Sequence, residues 1–285
     1  MRERSAGWRA QRRRDAWGRR VLLGVVLFAL IVPLIWTLLA SFEIKPEANG
    51  WPPAWTLPPS AQSYAEVMTQ VPGFPRVYAT SLIVSITATL LTVGTAFLAA
   101  YSLARWRFRG TRAVVQSFLV FASLPAMAYV IPLSDFTREL HLRDTFAGVA
   151  LASAAVYAPL AVYILYGYLE QVPRSLEEIA QLEGARLFQI VWKVVLPAAA
   201  PGLAATAVLV FVLDWNLFLV PTALTLNHVK TIPVALSDFY TYERELEWSN
   251  AAAALTLSLL PVAALVALAH RILEQFSLSP TPMDP

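Results

Sequence analysis

The chain has 285 residues, of which 57% are hydrophobic, 14% charged and none cysteine, with a formal net charge of +3. Soluble globular chains carry roughly 45–50% apolar and about 25% charged residues. The composition therefore excludes a disordered tail, a disulfide-stapled secreted domain and a cysteine-ligated zinc or iron–sulfur protein.

The charges are sorted along the chain. Windows without Asp, Glu, Lys or Arg run 21–40, 77–101, 113–133, 145–169, 194–213 and 248–269. Each is long enough at helical rise to cross a bilayer core, which takes about 20 residues. They predict an all-α, polytopic membrane protein with six transmembrane helices. The basic segment 1–20 precedes the first window. Val21–Ala40 is too long for a signal-peptide core and lacks a small-residue cleavage site, so it reads as a retained span. With both termini placed in the cytoplasm, 16 of the 22 basic residues lie on the inner side. That bias sets the orientation. The arginines at the start, interleaved with Trp8 and Trp17, suit an anionic inner leaflet and membrane lipids rather than nucleic acid.

The first outer connection, 41–76, opens on Trp51-Pro52-Pro53-Ala54-Trp55, a stiff stretch averse to helix. Ser60–Gln70 then predicts a short interfacial helix with Tyr64, Val67 and Met68 on one side. After the second window, Ala104 to Gly110 alternates basic and aromatic residues, an interfacial anchor. The fifth window is expected to continue past Asp214 to about Pro221, since 215–227 is again uncharged.

The connection 171–197 is the longest on the inner side. Pro173 closes the fourth span, and Ser175 with Glu178 three residues on predicts a capping box. Leu176, Ile179 and Leu182 share one face of the short amphipathic helix that follows. Gly184-Ala185 marks either a turn or a place where a partner backbone approaches closely. Leu196-Pro197 opens the next span, with proline in a first turn. Within this segment Glu178-x-Ala180-x-x-x-Gly184-Ala185, followed by Leu196-Pro197, resembles the EAA loop of binding-protein-dependent ABC importer permeases. Ile179 stands where that family prefers alanine.

Other stretches resemble the carbohydrate branch of the family: Ser81-Leu82-Ile83-Val84, Ala99 to Gly110, Ile131-Pro132-Leu133, Trp215-Asn216-x-Phe218 and Thr231-Ile232-Pro233-Val234. Thr80 stands where asparagine is usual there. The resemblance runs from about residue 21 to about 275 and is closest to the shorter, six-span permease of maltose-type importers. It implies a type I ABC importer permease (MetI-like) fold in a single permease domain, 21–274, followed by a cytoplasmic tail, 275–285. It also implies a bacterial or archaeal cytoplasmic (inner) membrane location.

The implied partners are a second permease subunit, two copies of an ABC ATPase and an extracytoplasmic solute-binding protein, and the implied cargo is a sugar or oligosaccharide. The implied coupling contacts are Glu178, Ala180, Gly184, Ala185, Leu196 and Pro197. ATP and Mg would belong to the ATPase, leaving no cofactor and no catalytic residue on this chain. The Gly-rich tail common in that branch has no counterpart at Gln275–Pro285.

Asp214 is the one ionisable residue within an expected span, and such a group usually faces a cavity or a partner. Asp214, Trp215 and Asn216 are therefore candidates for the translocation path, with a helix–helix contact to the partner permease as the competing role for Asp214. An aromatic ring and an amide both suit a sugar. Enzyme readings find little support. His141, His228 and His270 have no metal-binding spacing. Neither a Gly-x-Ser-x-Gly elbow nor a Gly-x-x-x-x-Gly-Lys-Ser/Thr phosphate loop is present. A self-sufficient secondary transporter or channel is the alternative, and it would leave the 171–197 segment unexplained.

Overall fold

A computed structural model describes residues 2–44, 58–69, 73–106, 108–225, 228–237 and 248–277. The Trp-Pro-Pro stretch at 51–55, Arg107 and all but the first three residues of the 275–285 tail lie outside these. The described residues form helices α1 (Arg2–Ser41), α2 (Gln62–Thr69), α3 (Phe74–Arg105), α4 (Thr111–Ala122), α5 (Met127–Glu139), α6 (Phe146–Gln171) and α7 (Ser175–Leu182). They continue through α8 (Leu187–Ile190), a π-helical turn (Val191–Val195), α9 (Leu196–Ala198), α10 (Ala200–Trp215), α11 (Leu219–Leu224), α12 (Ile232–Ser237) and α13 (Trp248–Ser277). No strand occurs among the described residues.

Four helical stretches are long and apolar enough to cross a membrane singly: Trp17–Ser41, Phe74–Arg105, Phe146–Gln171 and Trp248–Arg271. Two further pairs, α4 with α5 and the α8–α9 segment with α10, pass the same test together but bend by 94° and 73°. Counting each bent pair as one crossing gives the six expected.

Prolines cause both bends. Pro125 has no N–H to offer the carbonyl of Phe121, and its ring pushes Leu124 out of helical conformation. The Phe121 carbonyl accepts instead from Leu124 N–H at 3.1 Å and from the Tyr129 hydroxyl. In the fifth crossing Pro197 and Pro201 lie four residues apart. The turn before Pro197 widens to π form, with Leu196 N–H donating to Val191 O. The chain then kinks at Ala199 (φ −89°, ψ 0°). Nor does the helix continue to Pro221. Asn216 donates its side-chain amide to Val212 O at 2.7 Å, and Leu217 N–H bonds Asp214 O at 2.9 Å. These local bonds end α10 at Trp215.

The chain divides into two compact units, 1–72 with 242–257, and 73–241 with 258–285. In the first, Ser60 Oγ accepts from Gln62 N–H at the start of α2. Tyr64 OH and Ser41 Oγ share a 2.7 Å hydrogen bond, and Ser63 donates to Glu43. Asn250, at the start of α13, donates to Glu66 at 3.1 Å. Ser63 and Val67 form the buried edge of α2, whereas Met68, expected beside Val67, is exposed. The most apolar window of α1 is bare along its whole length.

In the second unit, Ala96, Ala100 and Ala104 line one face of α3 at four-residue steps and are buried in a core with Ala161, Val162, Leu165 and Leu169 of α6. Small side chains allow two helix backbones to approach closely where no hydrophobic drive acts between them. Gly202 does the same for α10: a Cβ there would fall 2.5 Å from Cγ of Tyr168 in α6. The start of α6 is set by Thr145, whose hydroxyl accepts from Gly148 N–H at 3.0 Å. This packing holds the ends of α3, α6 and α10 in fixed register, and the candidate site is built on those ends.

Candidate functional site around α7 and the end of α10

Helix α7 starts differently from the expected capping box. Arg174 precedes it with helical backbone angles, φ −65° and ψ −27°, and no side chain caps the first turn. Ser175 is already inside the helix, so its hydroxyl cannot take the cap position. Glu177 and Glu178 N–H both donate to Arg174 O.

The two neighbouring glutamates lie about 100° apart around the helix and differ in burial. Glu178 is exposed. Glu177 is buried, accepting from Tyr101 OH at 2.9 Å and forming an ion pair with Arg105 Nε. Arg105 also donates to Leu169 O at 3.0 Å and Val172 O at 3.2 Å. Those carbonyls close the C-terminal end of α6, where a cation is favourable and the helix leaves acceptors unfilled. Arg174 reaches back to Ala104 O at 2.7 Å. Ala180, one turn from Glu177, is buried on the same inner face.

The opposite face is apolar and uncovered. Leu176 is 41% exposed, Ile179 55% and Leu182 89%. Just beyond, Leu187, Phe188 and Trp192 are also exposed, with the last two rings 5.9 Å apart.

Gly184 ends α7. Its φ is +84°, its N–H donates to Gln181 O at 2.9 Å, and Ala185 N–H donates to Ala180 O at 3.0 Å. This pair of bonds is a Schellman motif, which needs a left-handed residue at the glycine position. Within the chain nothing lies within 4 Å of where a Gly184 Cβ would be. The turn, not a close intrachain approach, accounts for the glycine. The spacing Ala180-x-x-x-Gly184-Ala185 is thus the spacing of one helix stop. Leu196 and Pro197 begin α9 beyond the π turn, with Leu196 packed against the core shared by α3 and α6.

Asp214, Trp215 and Asn216 lie at the other end of α10, about 21 Å from Ala200 at helical rise. Asp214 is 5% exposed. The hydroxyls of Ser85 on α3 and Ser153 on α6 lie beside its carboxylate without closing a well-formed hydrogen bond to it. Tyr157 OH donates to the neighbouring Leu213 O at 3.1 Å. Trp215 is also buried: its indole N–H donates to Ser258 O at 3.0 Å and its ring stacks on Phe211 at 5.6 Å. Asn216 alone of the three is exposed.

Nearer the α7 end, a groove of about 620 Å³ is lined by Arg112 and Gln116 of α4 and by Tyr163, Tyr166 and Glu170 of α6. Among the described residues no group of three His, Asp or Glu side chains could hold a metal ion.

Glu177 and Tyr101 were not singled out from the sequence, and Arg105, read there as part of an interfacial anchor, is instead buried against Glu177. Glu177 and Ala180, three apart, are the only trace of the inner face, and nothing in the sequence pairs Glu177 with an arginine 72 residues earlier.

Residues 92–277 match the family described as binding-protein-dependent transport system inner membrane component. The chain is 30% identical over 250 residues to the trehalose/maltose transport system permease protein MalG of Thermococcus litoralis, covering 86% of this chain and 90% of that one. It is 31% identical over 231 residues to the trehalose transport system permease protein SugB of Mycobacterium tuberculosis, covering 80% and 82%. Its fold is similar to a chain of a bacterial ABC transporter involved in the import of the acidic polysaccharide alginate, with a TM-score of 0.75 at 23% identity, covering 91% and 96%. A second alginate transporter structure, in complex with an alginate pentasaccharide-bound periplasmic protein, gives 0.67 at 15% identity, covering 95% and 98%. With the family match spanning most of the chain, this protein belongs to the binding-protein-dependent transport system inner membrane components: it is a multi-pass ABC importer permease subunit, not an enzyme.

Proposed function

We propose that the chain is one of two permease subunits in an importer for a sugar or oligosaccharide, and that α7 is the helix that docks on the ATPase. The observation that carries this is the two-sided build of α7. Its inner face is fixed by Glu177 and Ala180, while Leu176, Ile179 and Leu182 are left bare beside an exposed Glu178. Exposed leucine and isoleucine on a short helix outside the membrane need a cover, and a carboxylate beside them suits an arginine or lysine of a partner. Gly184 and Ala185 end this helix, and Leu196-Pro197 returns the chain to the membrane. ATP and Mg act on the ATPase copies. A solute-binding protein delivers the cargo from outside, a role supported by the similar alginate transporter in complex with a pentasaccharide-bound periplasmic protein. Both termini lie in the cytoplasm, supported by the 16 basic residues on that side.

The carbohydrate cargo is supported by relatives whose names specify trehalose and maltose. At the end of α10, Asn216 is the member of the trio that meets the solute, while Asp214 and Trp215 set the wall behind it. Family membership leaves no place for the alternative of a self-sufficient secondary transporter.

The test is uptake of labelled trehalose or maltose into proteoliposomes. Import should require the second permease, the ATPase, the binding protein and ATP together with this chain. Import by the chain alone would overturn the proposal.

A further inference from the structure

The buried pair of Arg105 and Glu177 has a geometry that simple helix packing does not require. Both side chains are 8% exposed. Around them, five polar contacts join three elements: Glu177 to Tyr101, Glu177 to Arg105, Arg105 to Leu169 O, Arg105 to Val172 O, and Arg174 to Ala104 O. One guanidinium therefore belongs to α3, donates to the carboxylate of α7, and closes the C-terminal end of α6. Tyr101 supports it from below, with its ring 5.9 Å from the Arg105 carbon and Trp106 set edge-on at 5.6 Å. A desolvated ion pair is weak evidence for stability, because its desolvation cost offsets most of the Coulomb gain. It is strong in geometry: a planar fork with each of its three nitrogens bonded to a different partner group resists sliding, as an apolar contact between small residues does not.

We infer that Arg105, Glu177 and Tyr101 form a rigid joint that makes α7 move as one body with the inner ends of α3 and α6. Displacement of α7 by the ATPase is thereby delivered to the membrane helices. These are positioning residues, and the inference rests on α7 being the ATPase-docking helix. Glu178 faces the motor and Glu177 faces the joint, so the paired glutamates divide the task between two sides of one turn.

The test uses the reconstituted importer with ATPase, second permease and binding protein, and measures ATP hydrolysed per solute imported. Glu177→Gln keeps the shape and removes the charge. Arg105→Lys keeps the charge and loses the fork to Leu169 and Val172. Each should raise the ATP consumed per solute by about fivefold, the range in which coupling-path substitutions act, while the ATPase still co-purifies. The chain has no cysteine, so spin labels at Gln181→Cys on α7 and Leu90→Cys on α3 report the joint directly. With Glu177 present, their separation should be the same in the nucleotide-free and vanadate-trapped complexes. With Glu177→Gln it should broaden and shift on trapping.

A merely structural role would lower uptake and hydrolysis together. An unchanged ratio with an unchanged distance in the variants would overturn the joint. If Glu177→Gln fails to assemble, Tyr101→Phe removes a single hydrogen bond and must still raise the ratio by about twofold; an unchanged ratio there overturns the joint equally. An unsubstituted complex that neither hydrolyses ATP nor imports would instead remove the docking reading on which the joint rests.

Discussion

Gly184 offers a graded test of why the end of α7 is built as it is. Its φ of +84° lies in the left-handed region, and the Schellman bonds from Gly184 and Ala185 depend on it. A side chain would meet nothing within 4 Å in this chain, so the cost of substitution is conformational rather than steric. Alanine in that region costs about 1–2 kcal/mol, whereas asparagine adopts it more readily. A β-branched residue is a genuine outlier there. If a properly ended α7 is what docks, the competent fraction falls about fivefold for each kcal/mol lost. The predicted order of import rate and of ATPase co-purification is glycine, asparagine, alanine, valine. Gly184→Ala should keep roughly a twenty-fifth to a fifth of the import rate and Gly184→Asn more than that. The assay is initial uptake into proteoliposomes at matched permease content. Loss of activity in Gly184→Asn as complete as in Gly184→Val would refute the reasoning, because it would mean that volume, not φ, is what the position forbids.

Gly202→Ala places a methyl 2.5 Å from the Tyr168 ring and should destabilise the α6–α10 contact by about 1–3 kcal/mol. Thermal unfolding in detergent would read this as a lower midpoint, and adding Tyr168→Ala should recover part of the loss, since the two sites share one contact. Asp214 is buried without a well-formed hydrogen bond to its carboxylate, so the isosteric Asp214→Asn should leave the melting temperature unchanged or raise it. Asp214→Leu should lower uptake by disturbing the wall, an effect visible in transport of the assembled complex. Asn216→Ala should weaken uptake while complex assembly stays intact, because its side chain is exposed and bonds only to Val212 O of its own helix among the described contacts; unaltered uptake would take Asn216 off the path.

The six crossings were legible because each is an uncharged run long enough for a bilayer, and a charge inside it would cost more than any local propensity. The bends were less so, because hydropathy averages over the three prolines that break the third and fifth runs. Pro125 and the pair Pro197 and Pro201 do announce them, but a proline inside an apolar run is also found in unbroken helices here, as with Pro159 in α6. The site was legible as a motif and not as a geometry. Gly184 and Ala185 stand out as a helix stop, yet Ser175 followed by Glu178 has the pattern of a capping box that the backbone at Arg174 does not form. Glu177 escaped notice because the apolar stripe of α7 draws attention to the outer face, and a contact across 72 residues leaves no local periodicity.

The claim that α7 presents its apolar face to the ATPase is tested most directly by co-purification of the ATPase with Leu182→Asp permease. Leu182 is 89% exposed, and surface substitutions of this kind usually change stability by no more than about 0.5 kcal/mol. The account predicts a permease of unchanged melting temperature and unchanged pairing with its partner permease that retains less than about a tenth of the ATPase, since each 1.4 kcal/mol of lost contact weakens binding tenfold. Full retention of the ATPase, with import at the unsubstituted rate, would contradict it.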